Sequence, residues 1–185
     1  IDDLASDGRG VAHVDGKATF VADALPGERV RAKRVKGGRD ADQAQMLEVL
    51  EASSDRVEPG CQHFGVCGGC ALQHLAPEAQ RHFKQQQLAE AFTRIGHVEP
   101  EQWVAPLAGP SWGYRRRARL GVRYVPKKGG TLVGFRERGT PFLAVLERCE
   151  VLDPRVGCQL QAIAALIDGL SIREQIPQIE VAATD

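Results

Sequence analysis

The feature that most constrains this chain is a loop with three cysteines, Cys61, Cys67 and Cys70, in the stretch CQHFGVCGGCALQ. Three thiols cannot pair evenly into disulfides, and they fill only three positions of a four-thiolate metal site. The first ten residues lack the basic flank and apolar core of a signal peptide, and clustered thiols in a reducing compartment bind metal more often than they form structural disulfides. The loop therefore predicts a metal centre whose fourth ligand lies elsewhere in the chain.

The spacing of the cysteines favours an iron–sulfur cluster over zinc. Structural zinc sites usually take two short pairs of ligands, whereas three local cysteines with one remote partner are common around a cubane cluster. Zinc stays open as an alternative, because both metals accept four thiolates. A third interpretation, that these are small buried core residues, fits poorly with three thiols in a glycine-rich loop.

Two cysteines are candidates for the remote ligand. Cys149 lies where a predicted strand gives way to the turn before a helix, a position from which a side chain can reach a loop. Cys158 lies among apolar residues of the predicted helix, which indicates a packed thiol. The five histidines share no spacing, and we interpret each as a partly exposed polar residue. Position alone therefore favours Cys149.

Residues 1–58 are predicted to form short strands. GVAHVDGKATFV holds apolar residues that alternate around Asp15-Gly16, a strong hairpin signal. A Pro26-Gly27 turn precedes a basic strand, and QAQMLEVLEAS supplies another. Several short strands without a helical period predict a small closed barrel of the OB type.

Residues 59–185 are predicted to form a second, α+β domain with an antiparallel sheet, beginning at Pro59-Gly60. Helical spacing predicts a helix at about 77–95, and Asp153 followed by Pro154 predicts the start of another. Four stretches are predicted to be strands: GYRRRARLGVRYVP, TLVGFRERG, PFLAVLERCEVL and QIEVAATD. The fold class predicted for the whole chain is α+β.

A basic segment lies within a chain of zero net charge. The chain has 24 basic and 24 acidic residues, yet the 28 residues from Ser111 to Arg138 hold nine Lys or Arg and one acid. Such a local excess attracts polyanions, and arginine forks well onto phosphate. The predicted RNA-binding residues are Arg115, Arg116, Arg117, Arg119, Arg123, Phe135, Arg136 and Arg138.

Strand alternation places Arg115, Arg117, Arg119 and Arg123 on one face and Arg116 on the other. The alternative is a solvated face, which the acids Glu147, Glu150 and Asp153 would neutralise. The basic strand of the N-terminal barrel is less distinctive, since its charges also fit ordinary solubility. We therefore assign the predicted RNA contacts to the segment from Ser111 to Arg138 in preference to the basic strand of the barrel.

Several function classes find no support in the residues. No apolar run approaches the roughly 20 residues of a membrane-spanning helix. Gly8-x-Gly10 lacks the third glycine and the following helix of a nucleotide-binding loop. We find no Ser/His/Asp arrangement and no Walker-type loop, so we assign no catalytic residue and expect this segment to bind rather than to transform.

These motifs resemble a known family. DLASDGRGVAHVDGKATFVADALPGERV resembles a TRAM domain, a small OB-like RNA-binding barrel. CQHFGVCGGCALQHL, followed by YRRRARL, GFRERG and RCEVLDP, resembles the iron–sulfur 23S rRNA (uracil-5-)-methyltransferases. The resemblance implies a 4Fe-4S cluster on Cys61, Cys67, Cys70 and Cys149, in agreement with the ligand favoured by position.

The resemblance also implies what the complete protein does. Members of the family use S-adenosylmethionine, which a C-terminal Rossmann-like domain binds; we expect that domain to be missing here, so that the chain is an N-terminal part. The implied partner is ribosomal RNA, and we expect a cytoplasmic monomer without membrane contact. Two alternatives stay open: a zinc-dependent RNA-binding module without enzymatic activity, and a tRNA uracil-5-methyltransferase.

Overall fold

A tight hairpin organises the N-terminal sheet of the computed structural model, which describes residues 1–184. Asp15 and Gly16 both have positive φ, 52° and 76°, as a type I′ turn requires. They join the antiparallel strands β2 (Gly10–Val14) and β3 (Lys17–Ala22). The predicted hairpin is confirmed.

The N-terminal sheet has five strands. The other three are β1 (Asp3–Leu4), β4 (Arg29–Lys36) and β5 (Ala41–Glu51). The order is β1-β2-β3-β5-β4, with β3 and β5 parallel and all other neighbours antiparallel. The predicted strands are therefore confirmed within a mixed sheet, of which β1 and β4 are the two ends.

A helix follows the cysteine loop. It is α1 (Pro77–Ala91), begins at a proline suited to the first turn, and continues through a π-helical turn over Phe92–Gly96. This confirms the helix predicted at about 77–95.

One histidine is buried. His74 lies three positions before the start of α1 and is only 1% exposed, so the interpretation of every histidine as partly exposed is wrong for His74. It is adjacent in sequence to Leu75, which packs with Leu4 and Leu25 in a core cluster.

The second sheet has a central strand, β6 (Arg117–Val125), between β7 (Gly130–Gly134) and β8 (Gln178–Ala182). Both pairings are antiparallel, as predicted. Leu120 and Val122 of β6 are buried in a core that also contains Leu152 and Leu160. One face of β6 therefore anchors the sheet, and the opposite face is left for the charged residues.

The helix predicted after Asp153 forms in two pieces. The Asp153 carboxylate accepts a hydrogen bond from the Arg155 backbone N–H at 3.0 Å and caps α2 (Pro154–Gly157). A break at Cys158 and Gln159 precedes α3 (Leu160–Asp168). Because Cys158 ends α2 instead of continuing it, its thiol is exposed, and the predicted packed thiol is wrong.

The strand predicted over PFLAVLERCEVL is also wrong. The segment makes only isolated bridges, Arg136 with Leu143 and Arg115 with Leu152. Its apolar residues still pack, since Ala144 and Leu146 are buried. A Cβ on Gly134 would lie 2.6 Å from Leu146 Cδ1, so this segment meets the end of β7 through side chains instead of a backbone ladder.

The chain divides into two compact units. One comprises Ile1–Pro59 with Ala71–Pro106, and the other comprises Gly60–Cys70 with the residues from Leu107 onward. Compactness and family boundaries are different properties, so the domains predicted at 1–58 and 59–185 stay a prediction. Within residues 1–184, no helix combines the length and the apolar character needed to cross a membrane.

Candidate metal centre and nucleic-acid interface

The cysteine loop is closed by its own backbone. Phe64 N–H donates to Cys61 O at 3.0 Å and Cys67 N–H donates to His63 O at 2.9 Å. Gly65 between them has φ of 90°, a conformation that favours glycine. The first two predicted ligands, six positions apart in sequence, are therefore held on one compact turn.

The Gly68-Gly69 pair lets the loop approach the segment after β7. Gly68 N–H donates to Arg136 O at 2.8 Å, and a Cβ on Gly68 would lie 3.1 Å from that oxygen. Gly69 N–H points at Cys67 Sγ from 3.4 Å. Amide donors of this kind stabilise a thiolate ligand, so the two glycines serve both the close approach and the sulfur.

Cys149 is fixed by a second tight turn. Its backbone N–H donates to Gly157 O at 3.0 Å, and a Cβ on Gly157 would lie 2.2 Å from Cys149 O, so a larger residue cannot fit there. Burial raises the pKa of the Cys149 thiol, while hydrogen bonds from the backbones of Leu152 and Val151 lower it. The turn therefore presents a half-buried thiol to amide donors, as the first loop does.

The four predicted ligands lie within electrostatic range of one another. Burial raises the pKa of the Cys67 thiol, and negative charge on Cys70, Cys149 and Cys61 raises it further, against the Gly69 hydrogen bond. Cys70 and Cys61 likewise raise the pKa of Cys149. The four cysteines are half-buried free thiols, whereas Cys158 is exposed.

The thiols do not converge as ligands of a single ion do. Among the described residues, no group of three or more His, Cys, Asp or Glu side chains is placed so that it could hold a metal ion. A four-iron cluster uses one thiolate for each iron, so its sulfurs stand farther apart than those of a one-ion zinc site. The site has the donor set of a thiolate metal centre without the geometry of a single-ion site.

Arg138 holds the cysteine loop. Its guanidinium lies 4.5 Å from the centre of the Phe64 ring and donates from Nη2 to Cys70 O at 3.0 Å. Its backbone N–H donates to Val66 O at 2.9 Å. Arg138, predicted to contact RNA, is thus engaged with the loop through both its backbone and its side chain.

His63 also ties the loop to the segment that carries Cys149. Its Nε2 accepts the backbone N–H of Glu147 at 3.1 Å, and Gln62 Nε2 donates to the Glu147 carboxylate at 2.9 Å. These bonds join positions 84 and 85 residues apart in the sequence. The loop therefore reaches the region of Cys149 through protein contacts alone.

Strand β6 presents the predicted row of arginines. Arg117, Arg119 and Arg123 are exposed, whereas Leu120 and Val122 on the other face are buried, so the predicted alternation is confirmed within the strand. Arg119 donates from Nε and Nη2 to one oxygen of Glu180, at 3.0 and 2.7 Å. Within residues 1–184 neither Arg117 nor Arg123 has an ion pair, which leaves two cationic groups for an external anion.

The acids proposed to neutralise this row have other partners. Glu150 binds Arg148 at 2.6 Å, and Glu147 accepts from Gln62. Asp153 binds Arg155, whose hydrogen bond is the main cause that lowers the Asp153 pKa to about 2; the charge of Arg116 contributes as well. Of these three acids, Asp153 is therefore the one that interacts with a predicted RNA-binding residue, Arg116.

The remaining predicted contacts divide into packed and exposed residues. Phe135 is half-buried against the core, and the Arg115 guanidinium lies 6.0 Å from its ring centre. Arg115 precedes β6 and pairs with Leu152 through its backbone. Arg116 and Arg136 are exposed. The structure thus separates Arg115, Phe135 and Arg138, which pack within the second unit, from the exposed arginines.

A family model described as the TRAM domain matches residues 1–36. Over 185 residues the chain is 55% identical to the 23S rRNA (uracil(1939)-C(5))-methyltransferase RlmD of Alkalilimnicola ehrlichii, and over 186 residues it is 53% identical to RlmD of Nitrosococcus oceani. Both matches take in 100% of this chain. The resemblance to the 23S rRNA (uracil-5-)-methyltransferases is thus confirmed along the whole chain.

The chain spans 42% of the length of each of these two RlmD relatives. A solved structure is also similar, that of the Pyrococcus abyssi tRNA (uracil-54, C5)-methyltransferase in complex with S-adenosyl-L-homocysteine. It is 27% identical with a TM-score of 0.56, and the match covers 90% of this chain and 34% of that one. The shared fold therefore extends to a relative that acts on a different RNA.

Sequence patterns missed the residues that support the cysteine site. Gly157 and His63 act through backbone contacts with positions 8 and 84 residues away, and no local pattern indicates them. The contact of Arg138 with the cysteine loop could not be predicted, because Arg138 is one of several arginines in a basic segment.

Proposed function

We propose that this chain is the RNA-recognition segment of an S-adenosylmethionine-dependent 23S rRNA uracil-C5-methyltransferase. The observation that carries the proposal is the 55% identity to an RlmD protein along the entire chain. The methyl donor is supported by the similar solved structure, which holds S-adenosyl-L-homocysteine, the molecule that S-adenosylmethionine becomes when it loses its methyl group. The chain itself contributes no residue to methyl transfer.

In this proposal Cys61, Cys67, Cys70 and Cys149 hold a 4Fe-4S cluster. The donor set fits: four half-buried free thiols lie in one compact unit, with amide donors aimed at two of them. When bound, the cluster supplies cross-links between the loop and a turn 79 positions beyond Cys70. Gly69 directs its N–H at sulfur, and Arg138 and His63 keep the loop in place.

The RNA surface of the proposal is centred on the exposed face of β6. Arg117 and Arg123 supply charge that has no ion-pair partner in the described part of the chain, Arg119 shares its charge with Glu180, and Arg116 and Arg136 extend the surface. Arg115, Phe135 and Arg138 act by positioning these elements. The N-terminal TRAM region, proposed as a closed OB-like barrel over residues 1–58, supplies a second RNA contact, and residues 59–185 form the iron–sulfur domain.

The test of the activity is methyl transfer by an enzyme of the relatives' full length that contains this segment. It is incubated with radiolabelled S-adenosylmethionine and transcripts of either 23S rRNA or tRNA. We expect label on 23S rRNA at C5 of uracil and none on tRNA. Label on tRNA alone would establish the second candidate, which the likeness to the tRNA (uracil-54, C5)-methyltransferase favours, and label on neither would contradict both.

A further inference from the structure

We propose that Trp112 and Tyr114 form a stacking platform for unpaired RNA bases, next to the arginines that bind phosphate. The inference rests on the proposed function, because it assumes that the chain binds RNA. It adds the state of the RNA that is recognised: a single-stranded segment whose base faces are open. Neither aromatic residue belongs to the metal centre or to the row of arginines.

The indole of Trp112 is held against a glycine of the cysteine loop. A Cβ on Gly60 would lie 2.7 Å from Cζ2 and 3.1 Å from Cη2 of Trp112, so only a glycine lets the ring lie this close. Gly60 immediately precedes Cys61. The ring is therefore supported on one side by the backbone that leads into the metal centre.

The backbone of the platform is tied to the other end of the same centre. Gly113 N–H donates to Glu150 O at 2.9 Å, and Arg115 N–H donates to Val151 O at 3.0 Å. Glu150 and Val151 directly follow Cys149. The two aromatic residues are thus carried on a segment anchored at both of its sides, which lowers the entropy lost when a base stacks on them.

Both rings remain accessible. Trp112 is 43% exposed and Tyr114 is 51% exposed. Each of the two rings therefore keeps an accessible face on which a flat ligand can stack. Exposure alone does not single them out, since Trp103 is 42% and Phe142 is 66% exposed. What distinguishes Trp112 and Tyr114 is that two exposed arginines come two and three positions after Tyr114.

The charge around the platform selects the ligand. Arg116 and Arg117 lie two and three positions after Tyr114, both are exposed, and Arg117 has no ion pair within the described residues. Aromatic stacking combined with adjacent cationic groups is the arrangement that proteins use for single-stranded nucleic acid. In a duplex the base faces are covered by their neighbours, so this platform favours unpaired nucleotides over paired ones.

The test compares single-stranded and duplex oligoribonucleotides of one sequence, bound by the anaerobically purified chain. We expect Trp112→Ala to weaken single-strand binding about tenfold and duplex binding hardly at all, because stacking on an aromatic side chain contributes about that much per base. Trp112→Phe should keep most of the affinity. Trp103→Ala is the matched control, since it removes the other tryptophan of the chain and should leave binding unchanged.

A spectroscopic measurement covers the case in which Trp112→Ala fails to fold. In Trp103→Phe protein Trp112 is the sole tryptophan, and we expect single-stranded RNA to quench its fluorescence more than the duplex does. If the unmodified chain binds single-stranded RNA with neither quenching nor a loss in Trp112→Ala, the platform is refuted while the proposed function stands. If the unmodified chain binds no RNA, both fail.

Discussion

The basic strands β4 and β6 share a sequence pattern but differ in their partners. In β4, three arginines each meet an acid of the neighbouring strand β5: Arg29 with Glu51 at 2.8 Å, Arg31 with Glu48 at 2.6 Å and Arg34 with Asp42 at 3.2 Å. In β6, Arg119 alone of the exposed row on its face has such a partner, and Arg117 and Arg123 have none within residues 1–184. The neighbouring strand, and not the basic strand itself, decides whether positive charge is left for a ligand.

The two units also differ in what holds them together. The first contains no cysteine of the loop and relies on its apolar clusters and on ion pairs across the sheet. The second also has an apolar core and contains all five cysteines, and its cysteine loop is joined to the segment before Cys149 by the side chains of Gln62 and His63. We therefore expect metal removal to affect the second unit and to spare the first.

The largest effect should follow from loss of the remote ligand. Cys149→Ser should release the iron and abolish most of the RNA binding, because the proposed cluster would no longer link the loop to the turn at Gly157. Iron content and RNA affinity after anaerobic purification measure both. Cys158→Ser is the matched control, since its exposed thiol lies outside the site, and it should keep the iron; the reverse outcome would make Cys158 the ligand.

The next largest effect separates the two basic strands. Arg117→Ala with Arg123→Ala should weaken RNA binding about tenfold and reduce its salt dependence by about one unit of slope for each lost phosphate contact. Arg29→Ala with Arg31→Ala in β4 should change both quantities less, because these guanidiniums are already neutralised. Equal losses in the two double variants would show that ion pairing does not distinguish the strands.

A smaller effect on iron retention is expected at Arg138, which contacts the cysteine loop. Arg138→Ala should speed the loss of iron to a chelator severalfold, since the loop loses the bond to Cys70 O and the contact with Phe64. Arg136→Ala is the control, because Arg136 bonds to the loop through its backbone oxygen, which the substitution keeps. Identical rates of iron release in the two variants would show that Arg138 does not position the loop, and its predicted contact with RNA would then stand.

The smallest effect concerns acid stability of the first unit. Hydrogen bonds from Lys17 and Arg34 lower the pKa of Asp42 from its ordinary value of 3.8 to about 2. A lowered pKa in the folded state adds stability above pH 3.8 that is lost as the pH falls through about 2. The unfolding midpoint of Asp42→Asn should therefore lie below that of the unmodified chain at pH 5, with the difference shrinking toward pH 2.

The control for Asp42 is Glu51→Gln, which removes an exposed ion pair with Arg29 and should shift the midpoint little. A difference for Asp42→Asn that stays constant from pH 5 to pH 2 would show that the carboxylate charge is not its source.

Local sequence signals predicted the elements well where one residue type has a local physical reason. Asp15-Gly16 gave the hairpin because both positions tolerate positive φ, and Pro77 gave the start of α1. Asp153 gave the cap of α2. Alternation in β6 gave the exposed arginines, because an apolar face must be buried on the other side.

The features that the sequence could not predict depend on distant contacts. The partner of Arg119 is Glu180, 61 positions away. Of the three acids expected to neutralise the arginines, it is Asp153 that interacts with one of them, Arg116. The segment around Leu146 has an apolar alternation like that of a strand, yet it packs by side chains on Gly134. The spacing of the thiols predicted them as ligands, and that stays a prediction, whereas the contacts of Gly157 and His63 are visible only in three dimensions.

The most direct test of the central claim, that four cysteines hold an iron–sulfur cluster in the RNA-binding unit, is metal analysis of the anaerobically purified chain. We predict a brown protein that absorbs broadly near about 400 nm, with four iron atoms and four acid-labile sulfides per chain. A colourless protein with one zinc ion per chain and no labile sulfide would contradict the claim.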